Sequence, residues 1–241
     1  MCNVEKKSNK LTFDGRRRFL KKAGLATLGA ALGSRALAAA SPKPENVISA
    51  NEALDRLMEG NMRYVNGDSK LHDFNAEREA LVGGQNPYAG ILSCADSRIV
   101  PEYAFDSSRG DLFVVRVAGN FVSTNGLASL EYAATYLGTR LLMVLGHQKC
   151  GAISGAISAI REGTVLPGRL PELIESIAPS VGLAIGQPGD LLENAVRENV
   201  RLNVAALRAA SPILSGMVAR EELRVVGGVY NLESGRVDLL S

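Results

Sequence analysis

The chain has 241 residues, enough for one domain of about 200 residues and an extension. Its 46% hydrophobic and 22% charged residues are those of a soluble globular protein and exclude a low-complexity chain. Residues 1–38 hold five Lys and four Arg against Glu5 and Asp14, a net charge of +7, so the +2 of the whole chain leaves −5 for the remainder. The remainder therefore lacks the basic character of a nucleic-acid-binding protein.

The N-terminal segment has the order of an export signal. Residues 16–21 (RRRFLK) precede an apolar run over residues 23–33, and residues 36–38 (ALA) offer a small-residue cleavage site. Adjacent arginines followed by Phe-Leu-Lys are typical of a twin-arginine signal. The apolar run is shorter than the about 20 residues that a transmembrane helix needs.

These features predict three segments: a signal peptide over residues 1–38, a linker over residues 39–49 and one domain over residues 50–241. We expect a periplasmic or otherwise exported protein that has no membrane association once the signal is removed. Cleavage after Ala40, and a basic amphipathic N-terminal helix in a cytoplasmic protein, are the alternatives.

The remaining sequence alternates between helical and strand patterns. Helices are predicted over residues 51–66 (behind a Ser49 cap), 75–81, 123–137, 150–161 and 191–210. Buried strands are predicted over residues 88–93, 112–117 and 140–145, and a terminal hairpin is formed by residues 223–231 and 236–239. Apolar strands that alternate with helices indicate an α/β fold with a mainly parallel central sheet and flanking helices.

Two short motifs follow predicted strands. Cys94, Asp96 and Arg98 form C-x-D-x-R after the first strand, and His147 and Cys150 form H-x-x-C after the third. The carboxyl ends of parallel strands meet at one edge of a sheet, where sites assemble in α/β proteins. We therefore expect the two motifs to meet although they are far apart in the chain.

Cysteine thiolates and a neutral imidazole suit Zn²⁺, and a Cys₂His set with a free fourth position is a recognised catalytic pattern. Asp96 can close that position as a fourth ligand, or stay off the metal and orient a bound water. Arg98 favours the second arrangement, because a guanidinium pairs with a carboxylate through two parallel hydrogen bonds. A disulfide between Cys94 and Cys150 in an oxidising compartment is the alternative, and it leaves His147 without a role.

The two motifs together resemble those of the β-class carbonic anhydrases, and the similarity runs across roughly residues 50–240. The supporting segments are residues 84–87 (GQNP), 113–116 (FVVR), 118–120 (AGN), 129–133 (SLEYA) and 146–151 (GHQKCG). The resemblance implies a zinc-dependent lyase, a carbonate dehydratase, in which zinc-bound hydroxide attacks CO₂ and yields bicarbonate and a proton.

The resemblance also implies the role of each residue. Cys94, His147 and Cys150 bind one Zn²⁺ per chain, and the dyad of Asp96 and Arg98 frees and orients the attacking group. Residues that line the substrate pocket in plant-type members are matched by Gln85, Phe113 and Tyr132, and the Gly151 amide is a candidate donor near the metal. Part of this lining crosses a dimer interface in plant-type enzymes, so a homodimer or a higher even oligomer is implied.

Several alternatives remain open at this level. Phe113 and Tyr132 can be simple core or interface residues, and Gln85 can be a loop cap. Val117 stands where plant-type members commonly have Asn, and the chain has no Trp for the bicarbonate-regulation site of some members. The same zinc chemistry can hydrolyse CS₂ or COS, and a non-catalytic zinc- or bicarbonate-sensing protein can share the scaffold.

Overall fold

Residues 48–240 are described by the computed structural model, and within them lie eight helices and five strands. The helices are α1 (Ala50–Asn66), α2 (Phe74–Ala80), α3 (Pro101–Ala104), α4 (Thr124–Tyr136), α5 (Gly151–Glu162), α6 (Leu170–Ala184), α7 (Leu191–Ala209) and α8 (Ile213–Ala219). The strands are β1 (Ala89–Ser93), β2 (Leu112–Arg116), β3 (Leu141–His147), β4 (Arg224–Tyr230) and β5 (Val237–Leu240). The predicted signal peptide and the predicted linker up to residue 47 lie outside the described residues.

The strands form one sheet in the order β2-β1-β3-β4-β5. The first four are parallel, and β5 pairs with β4 antiparallel, as a terminal hairpin requires. Ser93 at the end of β1 pairs with Arg116 of β2 on one side and with Leu145 of β3 on the other. The carboxyl ends of β1, β2 and β3 therefore lie side by side. This confirms the prediction that the strands before the two motifs end at the same side of the sheet.

Each face of the sheet is covered by helices, which explains why β1 and β3 are buried along their whole length. On one face, α1 packs its apolar side, which includes Leu54 and Leu57, against a core that also contains Phe105 and Met143. On the other face, buried residues from α4, α5, α6 and α7 form a second core with β1, β3 and β4. The predicted α/β architecture is thus confirmed.

Helix α1 begins at the predicted cap. The Ser49 hydroxyl accepts a hydrogen bond from the Glu52 amide, and the Glu52 carboxylate accepts one from the Ser49 amide. This reciprocal pair satisfies two amides that have no partner within the helix. Gly67 ends the helix in the left-handed conformation (φ 77°).

Three helices have no counterpart among the predicted elements: α3, α6 and α8. Helix α3 is a single turn that begins at Pro101, and α8 has only seven residues, so both are too short for a repeated apolar pattern to identify them. Helix α6 contains Pro179, a residue that usually ends a helix because it lacks an amide donor. Its buried positions, Ile177, Val181 and Ala184, nevertheless pack against the second core.

Among residues 48–240, no single helix is long and apolar enough to cross a membrane. Helices α7 and α8 meet the combined criteria of length and hydropathy only when they are taken together, and the pair is bent by 88°.

Candidate metal centre

Three metal-ligating side chains meet at the carboxyl edge of the sheet. Cys94 directly follows β1, His147 is the last residue of β3, and Cys150 is the residue before α5. All three are buried, and one ligand atom from each lies within 4.8 Å of the other two. Within the described part of the chain, this is the group of His, Cys, Asp and Glu side chains that could hold a metal ion.

A tight turn brings His147 and Cys150 to the same point. Gln148 donates its amide to the carbonyl of Tyr230, which extends the β3–β4 pairing beyond the last pair of strand residues. Lys149 then adopts a left-handed conformation (φ 52°), which is uncommon for a residue with a side chain. The chain thereby reverses within two residues, and Cys150 faces the same space as His147.

The imidazole of His147 is oriented for a metal. Its Nδ1 lies 2.9 Å from the carbonyl oxygen of Gln148. Because a carbonyl oxygen can only accept, Nδ1 carries the proton and Nε2 offers a lone pair. Among the described residues, Nε2 is buried and has no hydrogen-bond partner, which is costly unless a ligand satisfies it.

The two sulfurs also fit a zinc ion. Cys94 Sγ and Cys150 Sγ are 4.0 Å apart, and two thiolates at tetrahedral zinc are separated by about 3.8 Å. Both cysteines are free thiols rather than a disulfide, which is the arrangement that zinc binding requires. The donor set and its geometry therefore fit Zn²⁺.

The two thiols are coupled by a hydrogen bond between their sulfurs. A hydrogen bond from Cys150 lowers the pKa of Cys94, against the effect of its burial. The same bond, together with burial and the charge on Cys94, raises the pKa of Cys150. Zinc needs both sulfurs as thiolates, so metal binding is coupled to loss of thiol protons.

Asp96 and Arg98 lie beside the three ligands in the loop that follows β1. Asp96 Oδ1 accepts hydrogen bonds from the Arg98 amide and from Arg98 Nε, both at 2.9 Å, and Oδ2 accepts one from Arg98 Nη2 at 2.7 Å. This bonding from Arg98 holds the pKa of Asp96 well below its usual range despite partial burial. Asp96 Oδ2 is also 3.8 Å from His147 Nε2. An ionised carboxylate therefore faces the metal group but is held by a guanidinium.

Backbone amides support both sulfurs. Gly119 donates its amide to Cys94 Sγ at 3.3 Å. Gly119 has a φ of 80°, and a Cβ there would lie 2.6 Å from Ile177 Cδ1, so glycine is favoured at the position that presents this amide. The amides of Ile153 and Ala152 in the first turn of α5 act against the rise in the pKa of Cys150. The role of the Gly151 amide as a donor near the metal stays a prediction.

Three of the predicted pocket residues, Gln85, Phe113 and Tyr132, do not lie beside the ligands of their own chain. Gln85 is exposed and precedes β1, whereas Cys94 follows β1, so the two residues lie at opposite ends of that strand. Phe113 pairs with Gly90, four residues and about 13 Å before Cys94 along the strand direction. Tyr132 packs against Phe113 with ring centroids 6.3 Å apart. Their predicted pocket role stays a prediction that depends on a second chain.

Arg116 is a site residue that the motif analysis did not single out as functional. Its guanidinium donates to three backbone carbonyls of the loop that carries Cys94 and Asp96. A charged residue at the end of an otherwise apolar strand was the signal available in the sequence. Asn120, also missed, is fully buried, and neither polar atom of its side chain has a partner among the described residues.

A parallel α/β sheet with two cysteines, one histidine and an Asp–Arg pair at its carboxyl edge defines a zinc site of the catalytic type. Three protein ligands leave one coordination position for water or substrate, whereas a structural site usually has four. The paired carboxylate adds an acid–base group that a structural site does not need.

Known proteins are similar to this chain in both sequence and fold. The family model described as carbonic anhydrase matches residues 89–237. Carbonic anhydrase 2 of Mycobacterium tuberculosis is 40% identical over 184 residues, which cover 76% of this chain and 89% of that protein. The structure of the β-carbonic anhydrase CcaA superposes with a TM-score of 0.61 at 27% identity and covers 79% of this chain and 92% of that one. The Coccomyxa β-carbonic anhydrase in complex with acetazolamide gives 0.60 at 28% identity, with coverage of 78% and 86%. The chain belongs to the carbonic anhydrase family, and its structural neighbours assign it to the β class.

Proposed function

We propose that this chain catalyses the reversible hydration of CO₂ to bicarbonate and a proton. One Zn²⁺ per chain is held by Cys94, His147 and Cys150. The observation that carries the proposal is the convergence of these three ligand atoms within 4.8 Å, beside an Asp96 carboxylate held by Arg98. When bound, zinc lowers the pKa of a water ligand to about 7 and so supplies a nucleophile at neutral pH.

The residues of the chain would position that water. Asp96 is kept ionised by Arg98, so it can accept a hydrogen bond from a water near His147. Each carboxylate oxygen has two lone-pair sites. Oδ2 therefore keeps one acceptor site after its bond with Arg98.

Arg98 keeps Asp96 off the metal. Both carboxylate oxygens are engaged by its guanidinium, and the ligand group contains the two cysteines and His147 but not Asp96. This arrangement supports an open site with room for water and CO₂, rather than one that Asp96 closes as a fourth ligand. The Arg98 side chain is 50% exposed, so the released proton has a short path to solvent.

Stopped-flow CO₂ hydration on the zinc-loaded protein tests the proposal, with zinc assayed in the same sample at pH about 7 and 8.5. Fast turnover with one zinc per chain at both pH values is the expected result. Activity at the higher pH alone would indicate that Asp96 closes the site at neutral pH. Full zinc with no CO₂ turnover would overturn the proposal, and assays with CS₂ and COS would then separate a related hydrolase from a sensor.

We further propose that the active unit is a homodimer or a higher even oligomer. Strand β2 is an edge strand of the sheet. Its Phe113 forms an aromatic cluster with Tyr132 and Tyr136 of α4. Tyr136 and Tyr132 are 77% and 46% exposed, which is unusual for stacked aromatic side chains and supports a covered surface. A second copy docked there would bring Gln85, Phe113 and Tyr132 towards a neighbouring metal site.

Light scattering coupled to size-exclusion chromatography tests the oligomer. The zinc-loaded protein should have a mass of at least two chains, and replacing Tyr132 and Tyr136 by Ser should shift the mass towards one chain. The same double replacement at the exposed Leu183 and Ile185 is the control. A monomeric wild-type protein with full activity would contradict the proposal.

We also propose export by the twin-arginine route, with residues 1–38 as signal, residues 39–49 as linker and residues 50–241 as the catalytic domain. The support is the RRRFLK order, the short apolar run and the small-residue cleavage site. When the full-length chain is expressed, cell fractionation should find the cleaved protein in the periplasm, with its N-terminus near residue 39. Replacing Arg16 and Arg17 by Lys keeps the charge and should block export. An unchanged location would contradict this route.

A further inference from the structure

We propose that Arg116 is a positioning residue for the reaction described above, on which this inference rests. Arg116 ends strand β2, and its guanidinium fixes the loop that carries the ligand Cys94 and the dyad of Asp96 and Arg98. It acts through that loop and not on the reacting atoms.

The guanidinium of Arg116 donates hydrogen bonds to three backbone carbonyl oxygens. Nε donates to the carbonyl of Cys94 at 3.1 Å, and Nη2 donates to the carbonyls of Asp96 at 2.8 Å and Ile99 at 2.9 Å. The three acceptors lie in one loop between β1 and α3. A single side chain thus binds both ends and the middle of the segment that presents the ligand and the dyad.

This loop needs such a partner because its carbonyls belong to neither a strand nor a helix. Two further backbone hydrogen bonds extend the pairing of β1 with β2. The Val117 amide donates to the Ser93 carbonyl, and the Ala95 amide donates to the Val117 carbonyl. Beyond Ala95 the chain leaves the sheet, and the Asp96 carbonyl accepts from the Ile99 amide across a turn. Arg116 holds the backbone where the sheet no longer does.

Arginine suits this task better than lysine. A guanidinium carries five donors in a rigid planar fork, whereas an ammonium is a flexible point charge. Within the described part of the chain, Arg116 forms no ion pair, so its donors serve backbone carbonyls and not an acidic neighbour. Groups that orient metal ligands from behind commonly change metal affinity or activity by about 10- to 100-fold when they are replaced.

The test compares Arg116→Lys and Arg116→Ala with the same two substitutions at Arg208. Arg208 is a matched control because its Nε and Nη2 also donate to a backbone carbonyl, that of Val225, in a part of the sheet that holds no metal ligand. Four quantities are measured: kcat and KM for CO₂, zinc release to a chelator, the visible spectrum of the cobalt-substituted protein, and the melting temperature.

We expect Arg116→Lys to retain about one metal per chain, because all three ligands remain. Its kcat should fall about tenfold or more while KM changes little, since a misplaced Asp96 impairs the reaction and not CO₂ entry. Its zinc release should be about tenfold faster, and its cobalt spectrum should shift. Arg208→Lys should change the melting temperature alone.

Two outcomes would overturn the proposal. One is an Arg116→Lys protein with wild-type kcat, metal release and cobalt spectrum, whatever its melting temperature. The other is an equal loss of kcat in the Arg208 variants, which would indicate a general loss of stability. If the wild-type protein itself does not hydrate CO₂, the proposed function fails. Metal release and the cobalt spectrum then still decide whether Arg116 positions the loop.

Discussion

Arg98 donates to both carboxylate oxygens of Asp96, from Nε to Oδ1 at 2.9 Å and from Nη2 to Oδ2 at 2.7 Å. The same Nη2 donates to the carbonyl of Lys149 at 3.1 Å. Lys149 lies in the turn between His147 and Cys150, whereas Asp96 follows Cys94. One guanidinium therefore connects the two loops that supply the metal ligands, and it sets the position of the carboxylate relative to all three.

Asp96→Asn should abolish most of the turnover and leave the metal in place. The amide of Asn can still form a hydrogen bond with water, but it lacks the negative charge with which the Asp96 carboxylate orients and polarises the O–H bond. General acid–base groups contribute about 10²- to 10⁴-fold, so we expect kcat to fall by at least about 100-fold. Zinc should stay near one per chain, because Asp96 is not among the three converging ligands.

Glu233→Gln is the control for a change of charge near the site. Glu233 pairs with Lys149 at 3.0 Å, next to the ligand turn, but both side chains are exposed. Exposed ion pairs contribute little, so CO₂ hydration should stay within about twofold of the wild type. Full activity in the Asp96→Asn protein would show that the Asp96 carboxylate does not act on the water.

Metal removal should destabilise the protein in a way that depends on His147. A ligand that binds the folded state alone stabilises it by about 4 kcal/mol at a thousandfold excess over Kd. Chelation should therefore lower the melting temperature, and added zinc should restore it. His147→Ala should have a lower melting temperature that zinc no longer changes, since its buried Nε2 is the third ligand.

His72→Ala is the matched control, because His72 is the other histidine of the chain. Its ring contacts Glu77, Ser108 and Asp106 and none of the three ligands. The zinc-dependent shift in melting temperature should be kept in this variant. A zinc response that survives His147→Ala would mean that the ion is held elsewhere.

The sequence predicts those parts of the fold that depend on local order. The Ser49 cap, the strands before Cys94 and His147 and the terminal hairpin were all identified because caps, apolar runs and turn residues act over a few positions. Helix α6 was not, because Pro179 interrupts its pattern and its stability comes from the core it packs against. Tertiary packing overrides local preference in such a segment.

The same distinction applies to the site. Cys94, His147 and Cys150 could be predicted because residue type and strand ends identify them. Arg116 could not, because its acceptors lie 17 to 22 residues away and only the pairing of β1 with β2 brings them within reach. The pocket role of Tyr132 depends on a second chain, which one sequence read alone does not supply.

Gly119→Ala should weaken metal binding as well as stability. A methyl group at Gly119 would meet Ile177 Cδ1 at 2.6 Å and would be strained at the left-handed φ of 80°. We expect the backbone to relax from this conformation and to draw the amide away from the Cys94 sulfur. We expect a loss of about 2–4 kcal/mol in the free energy of unfolding and about tenfold faster zinc release to a chelator.

Gly138→Ala separates backbone strain from the effect on the sulfur. Gly138 has a similar φ of 71°, but a methyl group there meets no atom within 4 Å. This variant should lose about 1–2 kcal/mol in the free energy of unfolding and release zinc at the wild-type rate. Equal zinc release from both alanine variants would show that the Gly119 amide does not support the metal site.

The lowered pKa of Asp106 predicts that the stability of the protein depends on pH in the acidic range. Burial alone would raise the pKa of Asp106, but hydrogen bonds from Arg63 and from the Lys70 amide outweigh it, and the pKa lies below its ordinary value. A carboxylate with a lowered pKa in the folded state stabilises the protein above its unfolded pKa of about 3.9. That contribution is lost as the pH falls through the folded value.

Asp106→Asn should therefore be less stable than the wild type at pH about 6 by about 1–3 kcal/mol, and the difference should shrink as the pH falls below about 4. Asn tolerates the left-handed backbone of Asp106 (φ 43°), so the change removes the charge and not the conformation. Urea unfolding at a series of pH values measures the difference, with Asp68→Asn as a control at an exposed position. A gap between Asp106→Asn and wild type that stays constant down to pH about 2 would show that the pairing with Arg63 does not depend on the charge of Asp106.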